Sequence, residues 1–182
     1  MRNMAFMLAL VMFSACSDGP PEAFRLGSQI PMGAHTLTVS GTESNLDGHE
    51  QELVVFFQWN GPVQDLVAWF PRLKMTAVDE EGNKYTAKLA VPEEAYSLKR
   101  SLKWAMETAG SNPQPSASDM QNLTYLSERL VEIEKDLKAG RNPGRWVYSY
   151  DVPSNVRGLT LHVKNPDPRQ GQARLAAIPL GR

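Results

Sequence analysis

Cysteine is almost absent: the 182 residues contain one, Cys16. Neither a disulfide framework nor a cysteine-ligated metal centre can therefore hold the domain together. Charge of one sign is not in excess either, with 19 Lys+Arg against 20 Asp+Glu, which removes the electrostatic case for a nucleic-acid partner. No apolar run reaches the about 20 residues that a helix needs to cross a membrane. Catalytic signatures are missing as well: the chain has no HExxH, HxH, GxSxG, GxGxxG or Walker loop. The histidines, His35, His49 and His162, have no partner at metal-ligand spacing and are expected to be solvated or to edge the core. Serines are common, but nothing marks one as activated, so only a triad assembled in space would make the chain a hydrolase. The expectation is a protein that is not an enzyme and takes no cofactor or metal.

What is present begins with a leader. Arg2 supplies a positive start, residues 4–13 are unbroken apolar, and Ser14 and Ala15 are small, the layout of an export signal that is removed. The residues FSAC, Phe13 to Cys16, resemble the bacterial lipobox, with Phe13 standing where leucine is usual. That resemblance implies cleavage after Ala15, acylation of the Cys16 sulfur and then of its new amino group, and so a membrane anchor; a single acyl chain alone would be marginal. The alternative is an ordinary secretory leader cut near Ala15. SDGPPEA reads as a flexible tether, giving a signal over 1–15, a tether over 16–23 and a folded domain over 24–182. If the envelope has two membranes, Ser17 directly after the cysteine resembles an outer-membrane sorting signal facing the periplasm, although Asp18 follows it.

Short extended segments follow. FRLGSQIPMG and AHTLTVSGT are punctuated by glycine, and TESNLDGHE reads as a polar loop. In ELVVFFQWN, Leu53, Val55, Phe57 and Trp59 share one face while Val54 and Phe56 share the other, the pattern of a strand covered on both sides. NGPVQDLVAWFP is a longer connection with apolar residues of its own. RLKMTAVDEEGNKYTAKLAV is the clearest hairpin: Leu73, Met75 and Ala77 alternate outward, and Tyr85, Ala87 and Leu89 return after a turn containing Gly82. Asp79, Glu80 and Glu81 lack the alternating donors of a calcium loop, so a solvated turn is expected. RWVYSYDVP places Trp146, Tyr148, Tyr150 and Val152 on one face, and LTLHV and RLAAIPL close the chain as strands.

Between these strands, residues 92–140 change character. Pro92 suits the first position of a helix, Glu93 and Glu94 its positive end, and Ala95, Leu98, Leu102, Met106 and Ala109 recur at helical spacing. A second helix is expected to open with a capping box at Ser118 and Gln121 and to carry Leu123, Leu126, Leu130, Ile133 and Leu137 up to Gly140. The two stripes predict an antiparallel helical hairpin, with Lys99, Arg100 and Lys103 able to face the acidic second helix. The fold class is therefore mainly β: an immunoglobulin-like antiparallel β sandwich with an inserted α-helical hairpin.

Taken in order, LGSQIPMGAHTLTV, ELVVFFQWN, LKMTAVDEEGNKY and YSYDVPSNVRGLTLHV resemble the telokin-like, immunoglobulin-fold domain of unknown function found in many bacterial lipoproteins. The resemblance implies a two-sheet sandwich and a binding or scaffolding role without catalysis. Residues 92–140 depart from it, since that family has a much shorter connection there. The expected function is a membrane-anchored envelope lipoprotein whose hairpin recognises another envelope protein; equally, the hairpin caps the sandwich. Of the four tryptophans, Trp59 and Trp146 follow the core alternation, which leaves Trp69 beside Phe70, and Trp104, as candidates for partner contact. An aromatic patch around Trp69 and Phe70 would alternatively serve a glycan or small ligand.

Overall fold

The computed structural model describes residues 20–47, 50–70, 72–111 and 116–180. The expected cleavage and lipidation residues, Ala15 and Cys16, and also His49, lie outside them. The chain forms ten strands, β1 (Glu22–Ala23), β2 (Gln29–Met32), β3 (His35–Asp47), β4 (Glu50–Asn60), β5 (Met75–Val78), β6 (Lys84–Thr86), β7 (Leu89–Pro92), β8 (Arg145–Pro153), β9 (Thr160–Lys164) and β10 (Leu175–Pro179). Three helices join them: α1 (Val63–Trp69), α2 (Glu93–Ser111) and α3 (Ala117–Lys138). One sheet has the order β1-β10-β9-β5-β6 and the other β2-β3-β4-β8-β7. The neighbouring strands pair antiparallel except β1 with β10, which are parallel.

Inward-facing residues of both sheets form one core. Leu37, Leu53, Phe57, Trp146 and Tyr150 from one sheet meet Met75, Ala77, Leu161, Val163 and Ile178 from the other. This is the mainly β, two-sheet sandwich with an inserted helical hairpin that alternation in the sequence predicts. The doubly apolar β4 is covered as expected: Val54 and Phe56 point away from the main core and join a second cluster with Val147 and Tyr96 of α2.

Several local expectations are corrected. The stretch expected to be a polar loop is the outer half of β3, which bulges between Val39 and Gly41 and then pairs residue by residue with β4 as far as Asp47. Over Glu50 to Val55, β4 has backbone groups on both edges; β8 satisfies one edge and β3 the other, and backbone pairing needs no apolar side chains. The connection after β4 contains α1, whose Val63 and Leu66, three residues apart, are buried at the end of the sandwich. The hairpin of β5 and β6 is shorter than expected. After Thr86 the chain crosses to the other sheet, where β7 pairs with β8. Glu22 and Ala23, expected in the tether, add β1 to the edge of β10.

The acidic turn is only partly solvated. Glu80 and Glu81 are exposed, but Asp79 is buried and accepts hydrogen bonds from the Asn83 backbone N–H at 2.7 Å, the Asn83 side chain at 2.9 Å and the Tyr85 hydroxyl at 2.8 Å. Gly82 takes φ 85° beside it, a conformation that costs a glycine little.

Pro92 ends β7 instead of opening a helix. The second helix begins two residues earlier than expected, at the N-cap Ser116, with Asp119 closing the reciprocal capping box; aspartate at the third position returns the hydrogen bond as glutamate or glutamine would. Leu126 and Ile133 are buried along the expected stripe of α3, and Leu123, Leu130 and Leu137 are half-buried. The charges that link the helices have the opposite sense from the one expected: Glu94 of α2 pairs with Arg129 of α3 at 2.8 Å. Lys103 instead approaches Glu107 of its own helix, at 3.8 Å.

Candidate functional site

The inserted hairpin sits on the outer face of the β2-β3-β4-β8-β7 sheet. At its root, the Tyr96 ring is buried against Val54, Phe56 and Val147, a contact that the helical stripe read from sequence did not include. Its hydroxyl donates to Glu52 Oε2 of β4 at 2.7 Å. Burial, and then that hydrogen bond, push the Tyr96 phenol well above its ordinary value. Beside it, Arg145 of β8 lies 4.8 Å over the Phe56 ring and pairs with Glu93 at 3.1 Å.

Tyr96, Arg100 and Trp104 lie at successive spacings of four and so share a face of α2. Burial falls along that face. Tyr96 is 6 % exposed, whereas Trp104 is 67 % exposed. A groove of about 710 Å³ opens there, with Glu43 and Phe56 of the sheet, Tyr96, Arg100 and Trp104 of α2, and Asn122 and Leu126 of α3 on its walls. Arg100 lies 5.8 Å over the Tyr96 ring. Further out on the two helices, Met106, Met120 and Tyr125 are each more than half exposed, and Val131, near the root, is half exposed. Met106 was expected on the buried stripe of α2. It is 59 % exposed, whereas the α2 residue that joins the core beneath the hairpin is Tyr96, near the start of the helix.

Trp69 and Phe70 are neighbours in sequence but join separate groups of rings. Trp69 is half-buried, 5.3 Å from Trp59 and 6.3 Å from His35. Phe70 is 5.3 Å from Trp146 and 6.3 Å from Tyr148. Trp59 and Trp146 are buried as the alternation predicts, at 3 % and 1 % exposure.

His35 edges the core, as expected: its Nε2 pairs with Asp65 Oδ2 at 3.0 Å and its ring lies 5.2 Å from Trp59. That pair ties β3 to α1, and among the described residues no serine hydroxyl is bonded to it. His162 is half-buried on β9, where burial, and then Lys84, hold its imidazole below the ordinary range. Among the described residues there is no cluster of three metal-ligating side chains and no helix long and apolar enough to cross a membrane. What this surface can do chemically is bind: it offers an apolar rim, a guanidinium and carboxylates in one groove.

No protein-family model matches the chain, and no curated protein matches it. Among solved structures, the chain is similar to an uncharacterized β-sandwich protein from Clostridium difficile 630, with 10 % sequence identity and a TM-score of 0.44 over 88 % of this chain and 95 % of that one.

Proposed function

We propose that the protein is a non-catalytic cell-envelope lipoprotein, anchored through Cys16 after cleavage at Ala15, whose telokin-like, immunoglobulin-fold sandwich presents its inserted hairpin to another envelope protein. The observation that carries the reading is the exposure of Trp104, Met106, Met120 and Tyr125 on one helical insertion. Large apolar side chains left exposed beyond the requirements of the core supply the anchors of interaction surfaces. The placement of the ends agrees with it. β1, nearest the anchor, belongs to one sheet, and the hairpin packs on the outer face of the other.

The capping role and the recognition role fall on different halves of the hairpin. Tyr96 serves the sheet, packing with Val54, Phe56 and Val147, and the outer half is left for a partner. The test is photo-crosslinking in cells exporting the full chain, with the reactive side chain at position 104 and, as control, at the exposed Lys84 of the other sheet. A discrete protein adduct from position 104 alone supports the reading, and equal labelling from both positions overturns it. Radiolabelled palmitate should enter the wild-type chain and not the Cys16→Ala variant; failure to label the wild type removes the anchor.

A further inference from the structure

A second cleft opens on the side of the sandwich where the chain leaves β6 for β7. Its walls come from both sheets: Met75 of β5, Ala90 of β7 and Tyr148 of β8, with Phe70 and Leu73 from the connection after α1, enclosing about 390 Å³. Small-molecule pockets fall in the range of about 300–1,000 Å³.

Two features separate it from a packing gap. Tyr148 lines it and is only 6 % exposed, yet its hydroxyl has no hydrogen-bond partner among the described residues. Its neighbour Tyr150, by contrast, donates to the Met75 carbonyl at 3.4 Å. The Tyr148 hydroxyl is not sealed from solvent, so it is free to donate to an acceptor that enters the cleft in place of water. The second feature is charge. Two lysines and no acidic residue line the cleft. Lys88 pairs with Asp151, whereas Lys74 is exposed and has no acidic partner among the described residues.

We propose that this cleft binds a small monocarboxylic acid with an apolar tail, the tail against Phe70, Met75 and Ala90 and the carboxylate accepting from the Tyr148 hydroxyl under the field of Lys74. A sugar would need several convergent polar groups where this wall is mainly apolar, and a neutral hydrocarbon would leave both the hydroxyl and the lysine unused. The site is separate from the hairpin groove and independent of any partner bound there.

The test is calorimetric titration of the full exported chain with decanoate below its micellar range, with decanol and acetate as comparisons. Decanoate should saturate one site, acetate should give no binding, and decanol should bind at least about tenfold more weakly, a charge-assisted hydrogen bond being worth about that factor. Tyr148→Phe keeps the ring and should weaken decanoate about tenfold while leaving decanol unchanged. Lys74→Gln, at an exposed position, should remove most of the preference for acid over alcohol without affecting folding. The assignment is overturned if decanoate shows no saturable binding to the wild type, or if its affinity in both variants equals that of the wild type.

Discussion

Tyr96 on α2 donates its hydroxyl to Glu52 on β4 across 2.7 Å, and this bond ties the inserted hairpin to the sheet beneath it. Because the Tyr96 ring also fills the second core with Val54, Phe56 and Val147, bond and ring can be separated by substitution. Tyr96→Phe removes only the hydrogen bond and is expected to cost about 1–2 kcal/mol. Tyr96→Ala also leaves a cavity and is expected to cost about 3–5 kcal/mol. Urea unfolding of the two variants checks the order.

Deleting residues 93–139 behind a short linker would bare Val54, Phe56 and Val147. The shortened chain is therefore expected to bind a hydrophobic dye and to self-associate at concentrations where the full chain does not, which light scattering would detect.

Trp104→Ala should be nearly silent in stability, within about 0.5 kcal/mol, since its side chain is 67 % exposed. Phe57→Ala, at a fully buried position, is expected to cost about 3–5 kcal/mol. Comparable unfolding midpoints for these two variants would contradict the placement of both residues.

Gly33 has φ 60°, and an added Cβ would stand 2.9 Å from Trp69 Cη2. Both ends of the Gln172 amide also hold its backbone, with Gly33 N–H donating at 3.0 Å and Gly33 C=O accepting at 2.9 Å. Gly33→Ala is expected to destabilise by more than about 1 kcal/mol and to change the emission of Trp69, read by fluorescence during unfolding.

Stability should fall on both sides of neutrality, for different reasons. Burial alone pushes Tyr148 up, and burial followed by the Tyr148 charge pushes Tyr150 up. Their folded values exceed the unfolded one, so their contribution is complete below the ordinary tyrosine value of 10.0 and is lost as pH rises above it. Asp79 runs the other way. Burial raises its carboxyl, but hydrogen bonds from Asn83 and Tyr85 outweigh that and leave it below the ordinary 3.8. Its contribution is present above 3.8 and disappears as pH falls through the lower folded value. Asp79→Asn should lower the urea midpoint at neutral pH, with the difference from wild type shrinking in acid.

Much of the sandwich was legible because β8 alternates with a period of two and β4 is apolar on both faces, and the faces read for Leu53, Phe57, Trp146 and Tyr150 are the faces observed. The outer half of β3 was not legible. Thr42, Glu43, Ser44 and Asn45 have no apolar period, and they are strand because β4 needs backbone partners there. Nor was the departure of β7 visible, since Ala87 and Leu89 continue the alternation of β6 while the chain changes sheets. Of the candidate residues, Trp104 is exposed as its place off the stripe suggested. Trp69 and Phe70 are divided between two ring groups, because each packs against whichever strand end α1 brings to it.

By itself the sequence determined which strands are covered on both faces and that two amphipathic helices interrupt them, because side-chain periodicity is a local property that burial must respect. Only the tertiary structure decided which apolar residues of those helices are consumed. Tyr96 is buried and Trp104 and Met106 are not, because periodicity marks which helical residues are apolar, while only packing, here of Tyr96 on Val54, Phe56 and Val147, decides which of them is covered.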